Sequence, residues 1–287
     1  MWKRRAGVSP ERAISSIRFR LKAGYRLPKR RRQNKRRGDR SRRLGRRRGE
    51  VAARQRGALT LRVTERLRQA IIDGEVELGD ALSEDKLATK LGVSRSPVHE
   101  ALTALEQQGL IDIKPQRGSF VFLPTREDIE NLCEFRRMIE TEALHLAMRR
   151  GRDATLAALK AAAHEMHEAI RAGDDLRSAH ADTAFHAAPI ENSGNSYLIN
   201  AYRLVSGKVA ALRSHRSTAS IRSEANTEHF EIIARLEESD LPAALGALSN
   251  HILKMAKRYD IEPSRKRATA GRAARTPSLE HFGPLLD

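Results

Sequence analysis

The stretch 83–109, SEDKLATKLGVSRSPVHEALTALEQQG, constrains the fold of this chain most tightly. It predicts two short helices joined by a tight turn. Ser83 is a favoured helix cap, and Gly92 is the residue type that most often ends a helix in the left-handed conformation. The second helix has an apolar face with the spacing i, i+3, i+4 and i+7, formed by Val98, Ala101, Leu102 and Leu105. This pattern indicates a helix-turn-helix with a recognition helix.

Hydrogen-bonding side chains cluster at the start of that second helix, where DNA would be met. They are Ser94, Arg95, Ser96 and His99. All four can bond to bases or phosphates, but helix caps use the same residue types. For Ser94 the alternative is therefore that it only caps the helix.

A β-hairpin is predicted after the second helix. Residues 110–113 and 119–122 alternate apolar with polar side chains and flank a Pro-Gln-Arg-Gly turn. The hairpin would form the wing of a winged helix, with Arg117 and the Gly118 amide at its tip available to a groove or a phosphate.

Basic residues are concentrated at the start of the chain. Residues 1–56 hold 23 Lys and Arg against 3 acidic residues, whereas the remainder holds 31 against 33. A segment with so little apolar content is expected to be a disordered extension. It is either an arm that adds phosphate contacts, a solvated extension, or the product of a mis-assigned start, with a position such as Val51 as the alternative start.

The rest of the chain divides into three further parts. A winged helix-turn-helix domain is predicted at 57–124, an all-helical domain at 125–260 and a flexible tail at 261–287. Helices are expected near 126–150, 153–172, 175–191, 196–215, 220–239 and 241–259. The predicted fold class is mainly α, with an antiparallel helical bundle following the winged helix.

Two further features suggest the cellular compartment. The single cysteine, Cys133, cannot form an internal disulfide, and its apolar neighbours predict a buried side chain. No apolar run approaches the roughly 20 residues needed to span a membrane. A cytoplasmic, nucleoid-associated protein without a membrane partner is expected.

Residues 61–121 resemble the winged-helix domain of the GntR family of bacterial transcription regulators. The resemblance rests on segments such as LGVSRSPV and EALTALEQQGL, and the helical part resembles the FadR-type ligand domain called FCD. It implies a homodimer on a pseudo-palindromic DNA operator, with DNA contacts from Ser94, Arg95, Ser96 and Gly118. The chain departs from the family at His99 and Asp85, where Arg is usual.

A metal site is predicted in the helical domain. Asp182 and His186 lie one helical turn apart, and His229 and His251 fall on two later helices. Spacing across helices alone is also compatible with ordinary core histidines. The segments DTAFH, EHFEII and SNHI, however, resemble FCD motifs that supply one Asp and three His ligands, which implies a divalent ion such as zinc, nickel or manganese.

The resemblance also implies a small carboxylate effector at open metal positions. Arg136, in the segment EFRRMIE, and Asn195 occupy family positions for effector binding. Alternatively, Arg136 forms a surface salt bridge with Glu140, and Asn195 caps a helix.

Three functions are compatible with these features. The favoured one is an effector-responsive transcription regulator that is not an enzyme and has no catalytic residues. The alternatives are a metal-dependent enzyme built on the Asp/His₃ set and a sequence-independent DNA-binding protein driven by its basic tail.

Overall fold

A computed structural model describes residues 54–259 of the 287-residue chain. The predicted basic extension (1–56) lies almost entirely outside the described residues, and the predicted C-terminal tail (261–287) lies wholly outside them.

The first part of the described chain is a winged helix-turn-helix. Its α2 helix begins after Ser83, whose side chain accepts a hydrogen bond from the Lys86 amide, and ends at Gly92 with φ 66°. The predicted apolar face of α3 is fully buried. Its elements are α1 (54–72), β1 (Ala81–Leu82), α2 (Glu84–Leu91), α3 (Arg95–Gln107), β2 (Ile111–Lys114) and β3 (Gly118–Val121).

The predicted hairpin forms the wing. Strands β2 and β3 pair antiparallel, with Ile111 opposite Val121 and Lys114 opposite Gly118. Each strand is shifted by one residue from its predicted bounds. The sheet also gains the two-residue β1 on the other edge of β3, which was not predicted because two residues carry no periodicity.

The second part is all-helical, which confirms the predicted fold class. Its first helix, α4, starts with a reciprocal capping box between Thr125 and Asp128. Gly151 has non-helical angles (φ −161°, ψ 60°), so the predicted break is present as an interruption within one long element. The elements are α4 (Arg126–Ala172), α5 (Asp175–Asn192), α6 (Ser196–Arg216), α7 (Ala219–Glu237) and α8 (Leu241–Arg258).

Helix α4 is the scaffold of this domain, because it packs against α5, α7 and α8. Helices α7 and α8 also pack on each other, and α6 packs on α5. The inward faces of α4, α5, α7 and α8 therefore meet in one core. Cys133 is buried there, as predicted. Among residues 54–259, no helix is long and apolar enough to cross a membrane.

Shortening a side chain on the buried face of the recognition helix should destabilise the winged helix. Leu102 is 0% exposed, whereas Leu61 is 71% exposed. We expect Leu102→Ala to lower the free energy of unfolding by about 2–5 kcal/mol, and Leu61→Ala by less than about 0.5 kcal/mol. Urea denaturation followed by circular dichroism measures both. Equal effects would contradict the described packing.

Candidate metal centre and DNA-binding surface

Four side chains from three helices converge in the core of the helical domain. Asp182 and His186 share one face of α5, His229 lies on α7, and His251 lies on α8. All four are buried, and one ligand atom from each lies within 4.8 Å of the others. The structure thus brings together the whole predicted ligand set.

The converging atoms are the Nε2 atoms of the three imidazoles and Oδ1 of Asp182. His251 Nε2 lies 3.1 Å from His186 Nε2 and 3.3 Å from His229 Nε2. Asp182 Oδ1 lies 3.3 Å from His186 Nε2 and 3.6 Å from His229 Nε2. Neighbouring ligand atoms bound about 2.0–2.2 Å from one ion lie about 2.8–3.6 Å apart, over the range from octahedral to tetrahedral angles. These separations fit one ion bound at their centre.

Buried carboxylates fix which nitrogen of two imidazoles carries a proton. Glu140 lies 2.6 Å from His186 Nδ1, and Glu228 lies 2.7 Å from His251 Nδ1. Because an ionised carboxylate only accepts, each Nδ1–H must donate, which leaves Nε2 as a lone pair. Arg136 Nη2 lies farther from His186 Nδ1, at 3.2 Å.

His229 is held differently. Its ring stacks on Phe185, with centroids 3.7 Å apart, and its Nδ1 makes no hydrogen bond within the described part of the chain. Asp182 Oδ1 likewise accepts no hydrogen bond from residues 54–259. Two converging Nε2 lone pairs and an unpaired carboxylate oxygen leave a cluster of acceptors that a cation would satisfy, so the donor set fits a divalent metal.

The protonation states also suit metal binding. Burial lowers the pKa of His251 to about 4, although Glu228 opposes the shift. Burial, together with the neighbouring His251, holds the pKa of His229 well below its usual value. Burial disfavours the charged form of Asp182, but Arg213 and the imidazoles hold its pKa well below the usual value. Neutral imidazoles and an ionised carboxylate are the ligating forms at neutral pH.

Arg136 lies beside this centre and not on the surface. Its side chain is fully buried, and its Nε donates to Glu140 Oε1 at 2.6 Å. Burial opposes ionisation of Glu140, yet Arg136 and His186 lower its pKa to about 2. The salt bridge with Glu140 that the alternative interpretation predicted is therefore present, but it is buried and not on the surface. Arg136 also borders a small cavity beside the ligand cluster.

Asn195 is placed apart from the metal ligands. Its Oδ1 accepts from the Tyr197 and Leu198 amides, so it caps α6, as the alternative interpretation proposed. It does not line the small cavity beside the ligand cluster. That cavity measures about 20 Å³ and is bordered by Arg136, Arg213, Ser217, Ile221, Arg258 and Tyr259 among others.

Two residues that matter here were missed by the sequence analysis. Arg213 Nε lies 2.9 Å from Asp182 Oδ2, and Glu228 holds His251. Glu228 directly precedes His229, which was a weak signal. Nothing in the sequence pointed to Arg213, since its partner lies on another helix.

The proposed DNA-reading side chains lie exposed along the first turns of α3. Ser94 sits at the cap position but makes no side-chain capping bond, so its hydroxyl is not committed there. Ser96 is exposed, as are Arg117 and Gly118 at the wing tip, where Gly118 has φ 102°.

Two of these side chains already have acidic partners on α2. Arg95 lies 3.3 Å from Glu84 and 3.1 Å from Asp85, and His99 Nδ1 lies 2.8 Å from Glu84. The His99 hydrogen bond is the main cause that lowers the pKa of Glu84. DNA contact by Arg95 or His99 would therefore exchange one anionic partner for another.

Both described parts of the chain match known protein families. Residues 59–121 match the family model of bacterial regulatory proteins, gntR family, and residues 131–254 match the FCD domain model. The chain is 31% identical to an HTH-type transcriptional regulator in an unstable DNA locus of Streptomyces ambofaciens, over 65% of this chain and 79% of that protein.

Two further relatives agree. The chain is 31% identical to a gluconate operon transcriptional repressor of Bacillus licheniformis, over 50% of this chain and 59% of that protein. A crystal structure of a GntR transcriptional regulator from Rhodococcus sp. RHA1 matches with TM-score 0.63 and 27% identity, covering 70% of this chain and 96% of that one.

Removing the carboxylate behind His186 should weaken metal binding, although Glu140 is not itself a predicted ligand. We expect Glu140→Gln to reduce zinc affinity about 10–100-fold, because the amide no longer anchors the Nδ1–H as an anion would. Glu142→Gln, an exposed position on the same helix, is the control. Competition with a chromophoric chelator measures both affinities, and equal values for the two variants would argue against the site.

Proposed function

The chain belongs to the GntR family of bacterial regulatory proteins and carries an FCD domain, and from that premise we propose a metal-containing, effector-responsive transcription regulator. As a homodimer in the cytoplasm, associated with the nucleoid, it binds a pseudo-palindromic DNA operator and responds to a small organic acid at the metal centre. The observation that carries this proposal is the convergence of Asp182, His186, His229 and His251.

The metal is the first part of the proposal. Three imidazole nitrogens and one carboxylate oxygen suit a divalent transition-metal ion such as zinc, nickel or manganese. When bound, the ion would supply a buried positive charge that attracts an anion. The protein's own groups hold the ligands in place, through Glu140 behind His186 and Glu228 behind His251.

Charge balance supports an acidic effector. Each carboxylate near the centre already has a guanidinium partner, since Asp182 pairs with Arg213, Glu140 with Arg136, and Glu228 with Arg258. A divalent ion would therefore bring two buried positive charges without a counter-charge. Because buried uncompensated charge is costly, binding of a small carboxylate would be favoured.

The cavity limits how that carboxylate enters. A volume of about 20 Å³ accommodates about one water molecule. An effector therefore requires local opening, and Tyr259 and Arg258 at the end of α8 border the cavity where it would open.

DNA recognition is the second part. The exposed residues of α3 would enter the major groove and the wing would reach the neighbouring groove, with one half-site per subunit. The proposed contacts are Ser94, Arg95, Ser96, His99, Arg117 and Gly118.

The alternatives are less well supported. The matched families and relatives are transcription regulators, so the metal-dependent enzyme hypothesis is set aside. Sequence-independent binding through the basic extension predicts uniform protection of DNA instead of a discrete footprint.

Deleting residues 1–56 separates operator recognition from tail-driven binding. We expect the truncated protein to give the same footprint on a duplex that the full chain selects from random sequence. Its binding to unrelated DNA should fall and lose salt dependence, because phosphate contacts from the tail are removed. A full-length protein that protects DNA uniformly, without a discrete footprint, would refute the regulator.

Replacing the histidine on the recognition helix tests whether that position reads DNA. We expect His99→Arg to alter base preference within the half-site by about 1–3 kcal/mol, because the guanidinium donates two hydrogen bonds where the ring offers one or two donors. His145→Arg, at a half-exposed site on α4, is the matched control. Selection from random duplexes measures preference, and identical selected sequences for His99→Arg and the parent protein would exclude a reading role.

A further inference from the structure

Helix α6 forms a wall of two separate cavities. Arg213 on α6, and Ser217 at the cap position that follows its last residue, border the cavity beside the metal ligands. Val205, Lys208 and Leu212 border a cleft of about 650 Å³, whose opposite wall comes from the winged helix, including Ile111 and Ile113. Only the width of α6 therefore separates the cavity beside the metal ligands from the cleft that borders the winged helix.

The winged helix rests directly on α6 at two places. At the first, Gly207 lies so close to Leu110 that a Cβ on Gly207 would be 3.1 Å from Leu110 Cδ1. The neighbouring Lys208 side chain lies against Gly109. These contacts pack the winged helix closely against α6.

At the second place a buried histidine joins α6 to the end of α1. His215 Nε2 lies 2.9 Å from the Ile71 carbonyl oxygen, and its Nδ1 lies 3.5 Å from Glu77. Ile71 is in the last turn of α1, where carbonyls lack helical partners, so the imidazole N–H satisfies one of them. The His215 side chain is only 3% exposed, which shields this bond from water.

The same turn of α6 also contacts a predicted metal ligand on α5. Arg213, two residues before His215, binds Asp182 Oδ2 at 2.9 Å, while Oδ1 faces the imidazoles. Both members of this ion pair are buried. Helix α5 adds a parallel contact, because His180 lies 2.7 Å from Asp73 just beyond α1.

We propose that α6 transmits the state of the metal centre to the winged helix, with Arg213 as its input and His215 as its output. This inference rests on the proposed function. An ion bound by Asp182 Oδ1, or an anion that competes with Asp182 for the Arg213 guanidinium, changes the position that Arg213 imposes on α6. Because His215 ties α6 to the end of α1, the winged helix follows and the separation of the two recognition helices in a dimer changes.

Hydrogen exchange of the full-length protein tests this coupling, with zinc ion alone as the probe. In the parent protein we expect zinc to slow amide exchange at residues 74–77 by about threefold or more, since those amides follow the His215 contact. His215→Ala should lose that response while zinc affinity stays within about twofold, because the ring touches no ligand. His215→Gln, which keeps an N–H donor, should restore it in part. His145→Ala is the control.

The outcomes separate the two proposals. A His215→Ala protein that responds at 74–77 as the parent does would overturn the coupling, as would a parent protein that binds zinc without any response there. A parent protein that binds no zinc would instead refute the metal centre, and the coupling would fall with it.

Discussion

The helical domain is organised around the imidazoles of His186 and His251, whose Nδ1–H groups donate hydrogen bonds to buried carboxylates. Glu140 and Glu228 turn the Nε2 lone pairs of His186 and His251 toward one point, and Arg136 keeps Glu140 ionised there. Removing charged groups from water costs several kcal/mol per ion, and the attraction between partners offsets it only in good geometry. The network is therefore better understood as positioning the ligands than as stabilising the fold, and any single truncation leaves a buried charge unpaired.

The chain after residue 56 is nearly neutral, although the protein belongs to a family of DNA-binding regulators. Apart from its first 56 residues, the chain carries 31 basic and 33 acidic residues. On the recognition surface itself, Glu84 and Asp85 already hold Arg95 and His99. In the proposed dimer, operator affinity would depend on geometry across two half-sites more than on net charge, and it would respond to how each winged helix is held on α6.

The sequence predicted local features well and tertiary partners poorly. The periodicity of Val98 to Leu105 and the caps at Ser83 and Gly92 are set within a few residues, so the helix-turn-helix was predictable. Helical spacing paired Asp182 with His186, whereas placement on facing helices only weakly indicated His229 and His251, and the resemblance to a known domain strengthened that prediction. Arg213 and His215 act through residues 31 and 144 positions away, and no local pattern encodes such distances. For Asn195 the sequence could not choose between two local roles, because asparagine suits both a helix cap and a contact with an effector.

The most direct test of the central claim is X-ray absorption spectroscopy of the protein loaded with one equivalent of zinc. The account predicts a first shell of nitrogen and oxygen atoms at about 2.0–2.1 Å, with outer-shell scattering from three imidazole rings. The Asp182→Ala and His229→Ala variants should each lose one of these donors. A first shell of water and carboxylate oxygen alone, with no imidazole scattering, would contradict a metal centre built from Asp182, His186, His229 and His251.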